Sequence, residues 1–176
     1  MIDLLKEKVA LFVVNRQLKH NPQAEVSFTN FFSSSFSFFV LMPEDEKDFI
    51  RAFEVLNFLE ESRKNILIYT YDYKVSLLPI KFRQKALGHG VADVSKWKLP
   101  SKSYQGKLNG LRFDAAIDLN RKDNLYCSFS ANLVQARIRI GFSKSGSDKF
   151  YNLQVADNED SAELSYKNLL NCLSMF

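Results

Sequence analysis

The sequence predicts an α/β fold: a single Rossmann-like, open and mostly parallel sheet with helices on both faces and an extra N-terminal helix. Three observations predict it. Phe113-Asp-Ala-Ala-Ile-Asp-Leu119 and Arg137-Ile-Arg-Ile-Gly-Phe142 read as two strands joined by a helix, which is the unit of a parallel sheet. Phe36–Met42 is a nearly continuous apolar run, as expected for a strand covered on both faces. Strand-like and helix-like stretches then alternate along the chain.

The length and composition are those of one compact domain. The chain has 176 residues, is 46% hydrophobic and contains 16 Phe and 7 Tyr. Such a chain is long enough to bury a substantial core, and the composition argues against disorder. We divide it into an N-terminal helix with its linker, residues 1–35, and a Rossmann-like domain, residues 36–176.

The N-terminal part is predicted as an amphipathic helix over 2–19. Its expected buried face repeats at helical spacing: Leu5, Val9, Phe12 and Val13. His20-Asn-Pro22 should end it, because the residue before a proline is pushed out of helical geometry. A polar linker then runs to Ser35, and three phenylalanines should pin it to the body: Phe28, Phe31 and Phe32.

The first half of the domain is predicted as strand 36–42, helix 45–62 and strand 66–71. The helix begins with acidic residues, which the helix dipole favours in a first turn. The region 72–112 has a mixed pattern. A strand near Lys74–Leu78 and a turn at Gly88-His-Gly90 are its clearest local signals.

The second half is predicted as strand 113–119, helix 122–136 and strand 137–142. A turn-rich loop follows, then an edge strand within 150–155. The chain should end in a helix over 159–174, since apolar residues recur there at helical spacing.

Ligands of parallel sheets bind beyond the carboxyl ends of the strands, where the strand order reverses. Here that rim should contain Glu44 and Asp45 after the first strand, and Asn120 and Arg121 after the strand at 113–119. A phosphate or dinucleotide site needs glycines and bare amides after the first strand. Glu44, Asp45 and Glu46 stand there instead, and they would repel a phosphate. We therefore expect no cofactor.

The rim residues allow further interpretations. Clustered carboxylates suit a general base or Mg²⁺ ligands, but they also suit the start of a helix, which we favour. Asn120–Asn124 suits an anionic ligand or, more simply, the cap of the following helix. His20 and His89 lack spaced partner ligands and are predicted to be exposed, so we expect no metal site.

Residues 74–112 form a basic band. They contain nine Lys or Arg against one acid, Asp93, for a local charge of +8 that leaves −4 elsewhere. We expect this band to contact an acidic protein partner or a multi-protein complex. The candidate contact residues are basic or aromatic: Lys81, Arg83, Lys85, Lys96, Trp97 and Lys98. Basic residues interleaved with aromatic ones also suit nucleic acid, and a merely solvated loop is the third interpretation.

The sequence gives no sign of a membrane span or a secretory leader. No segment reaches the ~20 apolar residues that a span requires, and the N-terminal apolar stretch follows acidic residues and precedes no cleavage site. Cys127 and Cys172 fit neither a metal site nor a disulfide framework, and both are predicted as buried thiols on helices. We expect a cytoplasmic protein.

The two strands quoted first, with Ser130–Phe142, resemble the N-terminal domain of heptosyltransferase-type glycosyltransferases. The chain looks closer still to short uncharacterised bacterial proteins built on that domain. In the transferases a first loop ending in Gly-Asp supplies a catalytic base, and the resemblance places Asp45 at that position. Here Glu44-Asp45 lacks the glycine, and the second domain, which binds the nucleotide sugar, is missing from these residues.

These observations favour a non-enzymatic accessory or scaffold subunit, a degenerate glycosyltransferase fold, in a larger assembly that is cytoplasmic or membrane-associated. The alternatives are a remnant glycosyltransferase-like enzyme that needs a separate donor-binding domain, with Asp45 as base, and a nucleic-acid-binding protein that uses the basic band.

Overall fold

The computed structural model describes residues 2–19, 27–158 and 160–176. The helices are α1 (Ile2–Lys19), α2 (Phe31–Ser34), α3 (Glu46–Glu61), α4 (Asp72–Val75), α5 (Ile80–Arg83), α6 (Lys102–Asn109), α7 (Leu125–Leu133) and α8 (Ala162–Ser174). The strands are β1 (Ser37–Leu41), β2 (Asn65–Tyr71), β3 (Ala86–His89), β4 (Arg112–Asp118), β5 (Gln135–Phe142) and β6 (Leu153–Val155).

All six strands form one parallel sheet, with the order β3-β2-β1-β4-β5-β6. The predicted strand pair is confirmed, since β4 and β5 are parallel neighbours with Ala115 opposite Ile138. At the centre, β1 lies between β2 and β4, with Phe38 opposite both Ile66 and Ala115. The order therefore reverses between β1 and β4, which makes this pair the switch point of the sheet.

Helices cover both faces, as predicted. Alternate residues of each central strand point to opposite faces, so each strand needs apolar residues at nearly every position. Phe38 and Val40 pack in the core that α3 and α8 complete. Phe39 and Leu41 pack on the other face, against side chains of α6 and α7.

The N-terminal helix packs on the second face, through a cluster that includes Phe129 and Tyr151. Its buried residues are Ala10 and Val14, whereas Phe12 is 68% exposed. The prediction that Phe12 is buried was therefore wrong. The buried face of α1 runs through Ala10 and Val14 instead. The side chain of Leu5 and the predicted helix end at His20-Asn-Pro22 lie outside the described residues.

The linker phenylalanines contact the core, as predicted. Phe31 is buried, and Phe28 and Phe32 pack against the cluster that contains it. Phe176 closes the same cluster, with its ring centroid 5.2 Å from that of Phe31. The end of the chain therefore packs beside the linker.

The region 72–112 differs most from the sequence prediction. The prediction of a strand near Lys74–Leu78 is wrong, because Asp72–Val75 is a helical turn. The turn predicted at Gly88-His-Gly90 overlaps strand β3, which pairs with β2 through Gly88 and His89. Helix α6 was not predicted at all. The buried residues of α6 are Tyr104 and Leu108, and two apolar positions are too few to predict a helix from the sequence.

Two helices are shorter than predicted, because polar side chains cap them. Asn124 accepts a hydrogen bond from Cys127 N (3.0 Å), so α7 begins at Leu125. Val134 is already extended, and β5 begins at Gln135. Ser161 caps α8 by accepting a hydrogen bond from Leu164 N (3.2 Å).

Candidate binding site at the carboxyl edge of the sheet

The loops that leave β1 and β4 meet at the switch point. Glu44 N donates a hydrogen bond to Asn120 Oδ1 (3.1 Å), and Asn124 Nδ2 donates one to Glu44 Oε2 (3.1 Å). Lys122 Nζ lies 2.9 Å from Asp45 Oδ2. The structure thus brings together the rim residues that the sequence placed after two different strands.

Asp45 serves as the N-cap of α3, as the helix-cap interpretation predicts. Its Oδ1 accepts hydrogen bonds from Lys47 N (3.0 Å) and Asp48 N (3.2 Å). The hydrogen bond from Lys122, together with these backbone bonds, holds the pKa of Asp45 below its usual value. Its carboxylate is therefore ionised at neutral pH and its oxygens are already hydrogen-bonded.

Arg121 lies between α3 and the segment before α8. Its side chain is 12% exposed and forms ion pairs with Asp157 (2.7 Å) and Asp48 (3.2 Å). It also donates a hydrogen bond to Asn158 O (2.7 Å). Burial raises the pKa of Asp48, and Arg121 opposes that rise. Arg121 therefore bridges two carboxylates within the fold.

A buried network holds Asn120 in place. Asp118, at the end of β4, is 1% exposed, and its carboxylate accepts hydrogen bonds from Tyr151 Oη and from Asn120 N (3.0 Å) and Nδ2 (2.7 Å). Ser128 Oγ lies 2.7 Å from Tyr151 Oη. Four polar groups thus surround a buried carboxylate, and this fixes the amide that in turn holds the backbone at Glu44.

A cavity of about 490 Å³ opens beside this rim. Three aromatic side chains line it: Tyr71 at the end of β2, Tyr126 in the first turn of α7, and Trp97 in the loop after β3. Its charged lining residues are Glu44, Lys98 and Asp123. Ala10 brings the N-terminal helix to the same cavity. The cavity therefore combines three aromatic lining residues with two acidic ones and one lysine.

His89 lies behind the aromatic wall. Its ring centroid is 4.3 Å from that of Tyr71 and 4.7 Å from that of Tyr126 and of Tyr69. It is 1% exposed, so the prediction of an exposed histidine was wrong. Burial lowers its pKa to about 4, and no hydrogen-bond partner reaches its Nδ1 among the described residues. The wall thus has a neutral imidazole behind it at pH 7.

The structure divides the basic band between the two ends of β3. Lys81 and Lys85 precede the strand and pair with Glu60 at 2.6 and 3.0 Å. Arg83 donates hydrogen bonds to the Ser76 and Leu78 carbonyls, at 2.7 and 2.9 Å. Lys96, Trp97 and Lys98 follow the strand, with Lys96 Nζ 5.0 Å from the Trp97 ring centroid. Three of the six candidate contact residues thus precede β3 and three follow it.

Lys74, the first cation of the band, is 3% exposed. It donates hydrogen bonds to the carbonyls of Pro43 (3.4 Å) and Glu44, and its Nζ lies 5.0 Å from the Phe49 ring centroid. This lysine therefore ties α4 to the loop after β1, and it offers no charge to a partner.

The crossover from β2 to β3 consists of two single helical turns, α4 and α5, instead of one long helix. Leu78 and Phe82 face the core. Four other apolar residues of this crossover and of the turn after β3 are exposed: Tyr73 at 66%, Leu77 at 59%, Ile80 at 80% and Val91 at 92%. We call these four residues the crossover surface.

Within the described part of the chain, no three His, Cys, Asp or Glu side chains are placed to hold a metal ion. Neither cysteine forms a disulfide, and burial raises the pKa of both thiols. Cys127 is fully buried, whereas Cys172 is only half-buried, so the prediction of two buried thiols was correct for the first alone. In the same part of the chain, no helix has the length and apolar character of a membrane span.

Comparison with known protein families gives a match over most of the chain. The model of a family of unknown function, DUF6913, matches residues 6–176. The chain belongs to this family. Neither the curated proteins nor the solved structures give a match.

Sequence reasoning missed the aromatic wall of the cavity. Tyr71 is the last residue of a predicted strand, and Tyr126 lies in the first turn of a predicted helix. Both positions fall at the carboxyl edge in any parallel sheet, so the topology alone could have grouped them with Glu44. Trp97 was noted for a partner contact, and no local signal in its loop linked it to this edge.

Proposed function

We propose that this member of the family is a non-enzymatic accessory or scaffold subunit that binds an acidic protein partner in a larger cytoplasmic assembly. The crossover surface is the observation that supports this function. Among the described residues nine large apolar side chains are exposed, and four of them belong to this short stretch at one edge of the sheet. Tyr73, Leu77 and Ile80 lie within eight residues of the chain before β3, and exposed apolar residues grouped in this way are typical of interaction sites.

The charge around the crossover surface supports an acidic partner. Lys81 and Arg83 lie on α5 beside Ile80, and both side chains are exposed. Lys81 pairs with Glu60 but is still 53% exposed, so an added carboxylate could approach it. An apolar contact with a basic rim recognises an apolar patch that carries Asp or Glu at its margin.

The state of Asp45 supports a non-enzymatic function over the transferase-like alternative. A general base works best with a pKa near the operating pH and an oxygen that is open to the proton it removes. Asp45 has a lowered pKa, and its oxygens accept two backbone hydrogen bonds and one from Lys122. These are the properties of a helix cap.

The state of the basic band favours a protein partner over nucleic acid. A nucleic-acid surface needs several lysines and arginines that can release counterions at phosphates. Of the four basic residues before β3, Lys74 is buried and bonds to carbonyls, and Lys85 pairs with Glu60, so Lys81 and Arg83 are the two with exposed side chains. The remaining basic residues of the band all follow β3 and are spread over the next loop, α6 and the start of β4: Lys96, Lys98, Lys102, Lys107 and Arg112.

The test is direct binding. A tagged full-length chain is used to capture partners, and each captured protein is then purified alone and titrated against the chain. We expect an acidic partner whose affinity falls at least about tenfold with Ile80→Ser, since a buried apolar anchor contributes ~1–2 kcal/mol or more. Met175→Ser is the matched control, because Met175 is 81% exposed but lies at the end of the chain.

Two outcomes would contradict the proposal. One is a captured partner that binds both variants as well as the wild type. The other is a binding constant whose logarithm falls against the logarithm of the salt concentration, with a slope of about one per phosphate contact. That dependence indicates nucleic acid. Circular dichroism of Ile80→Ser separates lost binding from lost folding.

A further inference from the structure

We propose that the cavity at the switch point binds a small organic ammonium cation. The cavity and the crossover surface are separate features, so this inference does not depend on the protein partner. A volume of about 490 Å³ is within the usual range for small-molecule sites, roughly 300–1,000 Å³. Its location beyond β1 and β4 is also where ligands of parallel sheets bind.

The walls of the cavity suit a cation. Tyr71, Trp97 and Tyr126 contribute three aromatic side chains to a single lining. An ammonium group over the face of Trp or Tyr is attracted by the ring quadrupole, and the attraction grows as the site becomes drier. Burial raises the pKa of both Tyr71 and Tyr126, so these phenols are neutral at physiological pH.

The charged residues at the margin of the cavity indicate the charge of its ligand. Glu44 and Asp123 are exposed carboxylates, and Lys98 is the basic residue that shares the lining with them. The three together carry a formal charge of −1. Asn124 donates to Glu44 Oε2 and so holds this carboxylate at the mouth. An anion would meet two carboxylates and one lysine, whereas an ammonium would meet a lining of net charge −1 and three aromatic side chains, of which the Trp97 ring already has Lys96 Nζ 5.0 Å from its centroid.

His89 keeps the wall suitable for a cation. It contacts the inner sides of Tyr71 and Tyr126, at 4.3 and 4.7 Å between ring centroids. A protonated imidazole at that distance would repel a cation in the cavity. Burial keeps this imidazole neutral at pH 7. We therefore assign His89 a positioning role, in which it supports the two rings without adding charge.

Trp97 makes the test specific, because it is the chain's only tryptophan and it lines the cavity. Choline is titrated into the full chain while tryptophan fluorescence is recorded, and 3,3-dimethyl-1-butanol, its neutral isostere, is titrated in parallel. Sodium chloride at equal ionic strength corrects for salt. We expect a saturable change with choline and at least about tenfold weaker binding of the neutral alcohol.

Charge variants provide the second readout. Glu44→Gln and Asp123→Asn should each weaken choline binding about three- to tenfold, because each removes one counter-charge and keeps the shape. Lys98→Ala should strengthen it, since it removes the opposing charge. Ile80→Ser, on the crossover surface, should leave choline binding unchanged. This variant therefore separates the test of the cavity from the test of the protein partner.

Several results would overturn the inference. Equal binding of choline and its neutral isostere would show an apolar pocket without charge selection. Saturable binding of inorganic phosphate that Lys98→Ala abolishes would show an anion site. Absence of choline binding both by fluorescence and by calorimetry would also reject it. Circular dichroism of each variant confirms that the fold is retained.

Discussion

Lys122 Nζ lies 2.9 Å from Asp45 Oδ2, so a cation in the loop after β4 neutralises the carboxylate that caps α3. The contact joins segments that follow the two central strands of the sheet. It lies beside the hydrogen bond from Glu44 N to Asn120 Oδ1. The rim of the cavity is therefore held together across the switch point by both charge and backbone.

The cap and the ion pair of Asp45 can be separated by two substitutions. Asp45→Ala removes the acceptor of two backbone N–H groups and should lower the free energy of unfolding by about 1 kcal/mol. Asp45→Asn keeps an acceptor oxygen and loses only the charge, so it should cost less than about 0.5 kcal/mol. Urea denaturation at neutral pH measures both. Equal losses would mean that the ion pair, and not the cap, supplies the stability.

The pH dependence of Asp45 has a definite sign. Its pKa is lowered in the folded protein, so its contribution is present above the unfolded pKa, about 4, and is lost as the pH falls through the folded value. The difference between wild type and Asp45→Asn should therefore shrink below about pH 4. A difference that grows toward acid would contradict this assignment.

Among the charged residues of the rim, Arg121 should cause the largest loss of stability when it is replaced. Arg121→Ala leaves Asp48, whose side chain is 5% exposed, without its counter-charge, and should cost about 3 kcal/mol. Burial already raises the pKa of Asp48. In the variant this carboxyl should take up a proton more readily, so the deficit should be smaller at pH 5 than at pH 7.

The control for Arg121 is a second substitution. Asp48→Asn removes the buried charge that Arg121→Ala leaves unpaired. The double variant should therefore lose less free energy than the sum of the two single variants, by about 1 kcal/mol or more. Strict additivity in urea denaturation would show that Asp157, and not Asp48, carries the coupling.

His89 should make the protein less stable toward mild acid. Its folded-state pKa of about 4 lies below that of the unfolded chain, about 6.5, so the unfolded state binds the extra proton first as the pH falls. Stability is thus complete above about pH 6.5 and declines toward pH 4, with a loss of about 2 kcal/mol at pH 5.

His89→Phe tests this dependence. The described residues offer no hydrogen-bond partner to His89 Nδ1, so the replacement forfeits no bond at that atom. At pH 7 the variant should unfold within about 1 kcal/mol of the wild type, and at pH 5 it should be the more stable. If the variant still lost about 2 kcal/mol between pH 7 and pH 5, another group would be responsible.

Two glycine-to-alanine changes should have opposite effects. A Cβ at Gly141 would lie 2.7 Å from ring carbons of Tyr151, so Gly141→Ala should cost about 1–3 kcal/mol by overpacking. A Cβ at Gly106, within α6, would meet nothing within 4 Å, so Gly106→Ala should add about 0.5–1 kcal/mol. Thermal unfolding of the two variants gives the comparison. Similar effects at the two positions would contradict the close packing of β5 on Tyr151.

The strands that the sequence predicts well are those buried on both faces. Two central strands contain continuous apolar runs: Phe38-Phe-Val-Leu41 and Ala115-Ala-Ile117. The runs are continuous because successive side chains pack alternately against the helices on one face of the sheet and on the other. Strand β3 lacks that signal. A Cβ at Gly88 would collide with Asp72 Oδ1, so a larger residue there would have to displace that side chain. A glycine beside a histidine is also typical of a turn.

The candidate site divides in a similar way. Glu44, Asp45 and Asn120 are located by the rule that strand ends share one edge, and this rule needs no side-chain detail. The burial of His89 could not be read locally, because it depends on Tyr69, Tyr71 and Tyr126, which come from two separate segments. Arg121 likewise finds its acidic partners through tertiary structure alone.

The position of β1 beside β4 has a consequence for folding kinetics. The strands β1, β2 and β3 pair in sequence order, and so do β4, β5 and β6. The contact between β1 and β4 joins these halves, and it encloses the longest chain segment between paired strands. Closing that segment has the greatest entropic cost, so we expect the two halves to form first and to dock late. Because the cavity lies across the docking seam, it should be the last feature of the molecule to appear during refolding.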